Sequence, residues 1–201
     1  MTAIKFYTSP QSRGRIVHWM FEEIGTPYDL TVLPAGASSQ DSQYLKLNPM
    51  GKVPSIVHGE TVVTEAAAIC VYLADVFPEA KLAPQHDQRG AYYRWLFFAA
   101  GPLEAAVTDK MLGFEVPVEL RPSIGYGSFE KVLDVLEDAV SHQPYIAGDA
   151  FSAADIYVGS QIGLYMQFGI IDKRPAFEKY WQQLSSRDAY IRTDALEEKL
   201  V

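Results

Sequence analysis

The chain has 201 residues, of which 48% are hydrophobic, and it carries a formal net charge of -8. This length supports one large domain or two small ones, with a core that needs no metal or disulfide. The acidic balance and the scattered lysines and arginines argue against nucleic acid or an anionic membrane as partner. One cysteine, Cys70, suits a reducing compartment, and no apolar run approaches the roughly 20 residues that cross a bilayer, so we expect a cytoplasmic protein.

The first part of the chain predicts a small α/β domain. A β-prone segment, Ile4–Tyr7, leads to Ser9 and Pro10, which suit the N-cap and the first position of a helix, so we expect a helix from about Pro10 to Ile24. Strands are predicted at 28–33, 55–58 and 61–63, a short helix at 44–47 and a further helix from Glu65. This order predicts a thioredoxin-like domain with a mixed four-stranded sheet.

In a thioredoxin-like domain, Ser9-Pro10-Gln11-Ser12 occupies the place of a Cys-x-x-Cys pair, but this segment contains no thiol. A hydroxyl at a helix N-terminus lies beside unpaired amides and the positive end of the helix dipole, which together stabilise a nearby anion. Ser9 is therefore placed to donate a hydrogen bond to a thiolate that belongs to another molecule.

The dipeptide Val53-Pro54 leads directly into a predicted strand, which favours a cis peptide bond in a tight turn. Such a turn would leave the amide and carbonyl of Val53 unpaired. They would then be free to bind an extended peptide in an antiparallel manner. Taken alone, an ordinary trans proline at the start of a strand is the more frequent alternative.

A linker and an all-helical domain are predicted next. Pro78–Gln85 has two prolines and polar residues between two helical patterns, so we expect domains at 1–77 and 88–201, joined by a linker at 78–87. Helical periodicity covers 89–112, 128–140, 153–168, 176–184 and 188–200. Ser152 and Asp155 fit a variant of the capping box, which we assign to folding and not to chemistry.

Three segments carry a resemblance to the cytosolic glutathione S-transferase family, and to its bacterial, serine-type members in particular, over nearly the full chain. The first, Phe6–Ile16, is similar to the active-site loop and first helix of the serine-type classes. The second, Asn48–Pro54 with Glu65–Leu73, is similar to the family's NP-x-G-x-VP and E-S-x-A-I-x-x-YL patterns. The third, Tyr145–Ile156, is similar to the family's buried capping motif in the helical domain. The resemblance implies a homodimeric, metal-free transferase that conjugates glutathione to a small apolar electrophile.

The same resemblance implies a set of glutathione-binding residues. They are Lys52, Val53, Pro54, Glu65, Ala66 and Arg13. In the family, the residue that matches Glu65 pairs with the γ-glutamyl ammonium, and the next residue is usually a serine that binds the γ-glutamyl carboxylate. Here that residue is Ala66, so we expect binding to lack one hydrogen bond to a charged group, worth about 1.5 to 3 kcal/mol before any compensation from Thr64. Arg13, Arg15 and Lys52 are candidates for a local positive cluster that attracts the anionic tripeptide.

Three hydroxyls could lower the pKa of the glutathione thiol from about 8.5 toward 7. Ser9 is the first choice, Ser12 the second and Tyr7 the third. The absence of a cysteine at these places favours conjugation over thiol–disulfide exchange. We expect the electrophile in an apolar cleft between the domains. Candidates for its wall are Tyr92, Trp95, Phe98, Met111 and Phe114.

Two other functions stay open at this point. One is a glutathione-dependent isomerase, dehalogenase or peroxidase on the same fold. The other is a catalytically weak binding or regulatory protein of the same family, which the alanine at position 66 would suit.

Overall fold

The structure is a computed structural model that describes residues 3–36, 38 and 40–200. The chain divides into two compact units. The first unit runs up to Lys81 and includes the chain again from Ser185 onward, whereas the second spans Leu82–Leu184. The break after Lys81 lies within the predicted linker at 78–87. The chain from Ser185 onward belongs to the first unit, whereas the sequence predicted that it is part of a helical domain at 88–201.

The first unit is built on a four-stranded sheet with the order β2-β1-β3-β4. Its strands are β1 (Ile4–Thr8), β2 (Tyr28–Val32), β3 (Ser55–His58) and β4 (Thr61–Thr64), and its first three helices are α1 (Gly14–Ile24), α2 (Tyr44–Leu47) and α3 (Ala66–Val76). Strand β1 is parallel to β2 and antiparallel to β3, which is antiparallel to β4. The mixed sheet and the element order confirm the predicted thioredoxin-like fold.

The two faces of the sheet are distinguished by the alternation along β1. Phe6 is fully buried, and its ring lies 5.4 Å from that of Phe21 of α1 and 5.9 Å from that of Tyr28. Successive strand residues point to opposite faces, so Tyr7 faces the other side, where its ring lies 5.7 Å from that of Tyr44 of α2. Phe6 therefore packs in the core under α1, and Tyr7 packs under α2.

Helix α1 begins at Gly14, four residues later than predicted. Gln11 has a φ of +54°, in the left-handed region, which a right-handed helix cannot include. The Ser9 hydroxyl donates to the carbonyl of Leu33 at 2.5 Å, and the cap residue is Arg13, whose side chain makes no capping hydrogen bond. The predicted N-cap at Ser9 is therefore wrong.

The second unit is helical, as predicted. Its helices are α4 (Gly90–Phe98), α5 (Glu104–Met111), α6 (Phe129–His142), α7 (Ala153–Gln167) and α8 (Pro175–Ser185); α9 (Asp188–Glu197) follows in the C-terminal segment. A π-helical turn, Ala99–Leu103, contains Pro102 and interrupts the single helix predicted at 89–112. Within the described ranges, no helix is both long and apolar enough to span a membrane.

The capping box predicted at the start of α7 is present, and Asp155 is its centre. One carboxylate oxygen of this fully buried residue accepts from the Ile146 amide at 2.7 Å and the Tyr180 hydroxyl at 2.8 Å. The other accepts from the amide and hydroxyl of Ser152 at 2.9 and 3.0 Å. Burial raises the pKa of Asp155 despite these four donors. The motif is therefore a buried polar connection within the helical unit.

Candidate functional site

The register of the sheet brings three chain segments to one end of it. Ser55, the first residue of β3, pairs with Tyr7 of β1 and with Thr64, the last residue of β4. The chain just after β1, just before β3 and just after β4 therefore emerges at the same end. The segments are the Ser9–Arg13 loop, Val53–Pro54 and Glu65.

Val53 offers main-chain hydrogen-bonding groups at this end of the sheet. The Val53–Pro54 peptide bond is cis, which confirms the sequence prediction. Val53 is half-buried and lies outside the strand ladder. Across residues 3–36, 38 and 40–200, no partner bonds to its amide or its carbonyl. One donor and one acceptor are thus available on a single residue.

The loop before Val53 is held from inside the unit. The Lys52 carbonyl accepts from the hydroxyl of Tyr44 at 2.6 Å and from the side-chain amide of Asn48 at 2.7 Å. Because the Tyr44 proton goes to Lys52, the Ser55 hydroxyl donates to Tyr44, 2.6 Å away. The sequence analysis did not identify Tyr44 and Asn48 as supports, although Asn48 begins the Asn48–Pro54 motif and Tyr44 lies four residues before it. The side chain of Lys52 itself is exposed.

Glu65 and Ala66 form the start of α3. Glu65 is exposed and has a φ of +68°, a left-handed conformation that is costly for a residue with a Cβ and is typical of functional sites. No described residue forms an ion pair with its carboxylate. The first amides of a helix, such as that of Ala66, have no acceptor within the helix. A carboxylate beside unpaired amides suits the ammonium and carboxylate of an α-amino acid group.

The two serines of the Ser9–Arg13 loop differ in accessibility. Ser9 is only 6% exposed, and its proton is committed to Leu33. Ser12 is half-buried; its hydroxyl donates to the Ser9 carbonyl at 2.7 Å and accepts from the Gly14 amide at 3.1 Å. In the described part of the chain, no acceptor faces the amides of Gln11 and Ser12. The loop therefore offers backbone N–H donors and one accessible hydroxyl.

The remaining candidates of the first unit lie in different surroundings. Tyr7 is half-buried against Tyr44, on the α2 face of the sheet. Arg13 is exposed immediately before α1. Arg15 donates to Asp194 and to the hydroxyl of Tyr190, so its charge is already paired within the first unit.

The aromatic candidates of the second unit divide by burial. Tyr92 and Trp95 are buried in the core of that unit, and Phe98 is half-buried with its ring 5.3 Å from that of Trp95. Met111 and Phe114 are exposed, so these two can present apolar surface to a ligand. Among the residues that the structure describes, no group of three or more His, Cys, Asp or Glu side chains is arranged to hold a metal ion.

Comparison with known proteins gives matches along most of the chain. The family model for the glutathione S-transferase N-terminal domain matches residues 8–76, and that for the C-terminal domain matches residues 104–180. Glutathione S-transferase hmp2 from Hypomyces subiculosus is 28% identical, over 96% of this chain and 98% of its own length. Glutathione S-transferase 3 from Zea mays is 27% identical, over 97% and 95% of the two chains.

Solved structures give the same result for the fold. A glutathione transferase from Methylococcus capsulatus superimposes with a TM-score of 0.80 at 27% identity, covering 98% of this chain and 100% of its own. A sphingomonad glutathione S-transferase complexed with glutathione has a TM-score of 0.79 at 25% identity, with 96% and 98% covered. These relatives are fungal, plant and bacterial at similar identity, so they do not favour the bacterial members. The chain belongs to the glutathione S-transferase family.

Proposed function

We propose that this protein is a glutathione transferase that joins the thiolate of glutathione to a small apolar electrophile. The observation that carries the proposal is the convergence of Val53, Glu65 and the Ser9–Arg13 loop at one end of the sheet. The sphingomonad relative was solved with glutathione, which supports a tripeptide as the ligand of this family member.

The available groups match the three parts of glutathione. The amide and carbonyl of Val53, which have no partner among the described residues, pair with the extended peptide backbone, as in strand addition. The Glu65 carboxylate pairs with the γ-glutamyl ammonium, and the first amides of α3 bind the γ-glutamyl carboxylate, which the helix dipole also favours. Lys52, Pro54 and Arg13 complete the proposed contacts. Anchored in this way, the tripeptide extends its cysteine toward the Ser9–Arg13 loop.

Within that loop, Ser12 is placed ahead of Ser9 as the hydroxyl that stabilises the thiolate. Ser9 is buried, and its proton is held by Leu33, so its role is to support the loop. Rotation of the more accessible Ser12 hydroxyl redirects its proton from the Ser9 carbonyl to a sulfur atom. The amides of Gln11 and Ser12 add two further donors. Catalysis then consists of positioning and thiolate stabilisation. The thiol proton leaves to solvent and the sulfur bonds to the electrophilic carbon, while a halo-aromatic releases halide or an epoxide C–O bond opens and its oxygen takes a proton from water.

The second substrate and the assembly complete the proposal. Exposed apolar side chains at Met111 and Phe114 suit an apolar electrophile. The assembly is proposed to be a homodimer, as the family resemblance implies, and the location cytoplasmic, which the free, buried Cys70 suits. Burial raises the pKa of the Cys70 thiol to about 12, so this cysteine is not a nucleophile of the site.

Product formation from glutathione and a panel of halo-aromatics, epoxides, peroxides and maleyl compounds tests this function. Conjugates with halo-aromatics or epoxides are expected. Turnover of only peroxides or maleyl compounds would assign the peroxidase or isomerase alternative. Glutathione binding without any turnover would contradict the transferase and leave a binding protein, the alternative that Ala66 favours.

A further inference from the structure

The helix α9 packs on α1 through a row of polar contacts, all within the first unit. Near the start of α1, Arg15 donates to Asp194 at 2.5 Å and to the Tyr190 hydroxyl at 2.7 Å. In the middle, Nδ1 of the buried His18 lies 2.5 Å from Oε1 of Glu197. Near the end, Glu22 accepts from Arg192 at 2.7 Å, and Glu23 accepts two hydrogen bonds from Arg187 at 2.7 and 2.8 Å. These contacts extend along α1 from Arg15 in its first turn to Glu23 in its last turn.

These charges stand at the unfavourable ends of their own helices. Arg15 lies in the first turn of α1 and Glu23 in its last turn, although the helix dipole favours the opposite arrangement. Arg187 precedes α9 and Asp194 lies in its last turn, again opposed to the dipole. Salt bridges between α1 and the segment of α9 compensate these charges, and Glu23 also accepts from the ring N–H of Trp19 in its own helix. The pattern indicates residues placed for the contact between α1 and α9.

Arg15 is the contact nearest to the proposed thiol site. Its amide donates to the Ser12 carbonyl at 3.3 Å, and the amide of its neighbour Gly14 donates to the Ser12 hydroxyl oxygen. Its guanidinium also lies 5.3 Å from the centre of the Tyr190 ring, which packs against Trp19. Burial disfavours the charged guanidinium, but Tyr190 and Asp194 outweigh this and raise the pKa of Arg15. The residue is thus held from α9 at its side chain and bonded to Ser12 at its backbone.

We propose that Asp194 and Tyr190 are positioning residues of the site: by holding Arg15, they fix the start of α1 and with it the Ser9–Arg13 loop. The effect on loop order stands by itself, whereas the effect on glutathione rests on the proposed function. Loss of the contact lets Ser12 move, which weakens glutathione binding and raises the pKa of the bound thiol.

The test compares Asp194→Asn and Tyr190→Phe with Arg192→Gln, a control that breaks a contact between the same two helices farther from the loop. Amide hydrogen exchange of residues 8–15 is measured in the ligand-free proteins, and glutathione affinity by calorimetry. The side chains of Arg15 and Asp194 are 38% and 49% exposed, so solvent screens the pair and the expected increase in Kd for Asp194→Asn is about three- to fivefold. Arg15→Lys, which keeps a charge for Asp194, should recover part of the affinity that Arg15→Met loses.

The proposal is supported if the amides of residues 8–15 exchange faster in Asp194→Asn than in Arg192→Gln while the two variants lose equal thermal stability. Equal exchange in the two variants would overturn it, because α9 would then act only through overall stability. If the unaltered protein fails to bind glutathione, the proposed function fails, and the exchange comparison still decides whether α9 positions the loop.

Discussion

At the scale of single residues, the hydrogen bonds of Ser12 and Ser9 predict different results for their removal. Ser12→Ala removes a donor to the thiolate, worth about 1.5 to 3 kcal/mol, so the kinetic pKa of conjugation should rise by about 1 to 2. The rate at pH 7 then falls and recovers as the pH is raised. Ser9→Ala should leave this pKa unchanged and lower the free energy of unfolding by about 1 to 2 kcal/mol. The pH dependence of kcat/KM measures this pKa in both variants. A raised pKa in Ser9→Ala alone would reverse the two roles.

Ala66 offers a prediction in the opposite direction, a gain of affinity. Ala66→Ser places a hydroxyl at the first position of α3, beside the proposed γ-glutamyl carboxylate, and should tighten glutathione binding by about tenfold or more. Ala67→Ser, one residue farther into the helix, is the matched control and should change the Kd little. Calorimetric titration measures both, and equal affinity in Ala66→Ser and the unaltered protein would show that the carboxylate lies elsewhere.

Gly14 is required by the contact between the end of β1 and the start of α1. A Cβ atom on Gly14 would collide with the side chain of the fully buried Thr8, and backbone or side-chain shifts would have to relieve the overlap. Gly14→Ala should therefore lower the free energy of unfolding by about 1 to 3 kcal/mol. Gly90, the first residue of α4, has open space around it, so Gly90→Ala is the control and should cost less. Thermal unfolding compares the two; an equal Tm would contradict the close packing.

At the scale of elements, Asp155 connects the start of α7 to Ile146 and to Tyr180 of α8. Asp155→Asn keeps one acceptor oxygen but turns an amide group toward two donors of Ser152, so we expect a loss of about 2 to 4 kcal/mol in the free energy of unfolding. Denaturant unfolding measures this loss.

The pH dependence of the same variant follows from the pKa of Asp155, which is raised in the folded state. Between the unfolded pKa, about 4, and the higher folded pKa, Asp155 is more protonated in the folded protein than in the unfolded chain, so its stabilising contribution falls as the pH rises through this interval. The difference in stability between the unaltered protein and Asp155→Asn should accordingly be smaller at pH 7 than near pH 4. A larger difference at pH 7 would contradict the raised pKa.

The elements of the first unit could largely be predicted from the sequence, because each strand is a short β-prone run bounded by turn residues. The start of α1 could not, since Ser9 and Pro10 fit local capping rules while Gln11 takes a left-handed conformation. The candidate site could be predicted at Val53 and Glu65, because each of these residues lies in a recognisable sequence motif. The buried hydrogen bond of Ser9 could not, because its acceptor, the carbonyl of Leu33, is distant in the sequence.

At the scale of the whole molecule, the path of the C-terminal segment is the feature that sequence periodicity could not give. A helix at 188–200 was predicted, but its membership of the first unit depends on pairs such as Arg15 with Asp194 and His18 with Glu197, each about 180 residues apart in sequence. Composition and helical spacing carry no information on such pairs. The structure thus adds α9 to the unit that carries the proposed glutathione site.

Glutathione is expected to bind where Val53, Glu65 and the Ser9–Arg13 loop meet. Calorimetric titration of glutathione into the unaltered protein, Glu65→Gln and Glu60→Gln tests this placement. Glu60 is an exposed carboxylate at the opposite end of the β3–β4 pair and serves as the control. Binding in the millimolar range or tighter is predicted for the unaltered protein and Glu60→Gln, with affinity about tenfold weaker in Glu65→Gln. Equal affinity in all three proteins, or no binding at all, would contradict this placement.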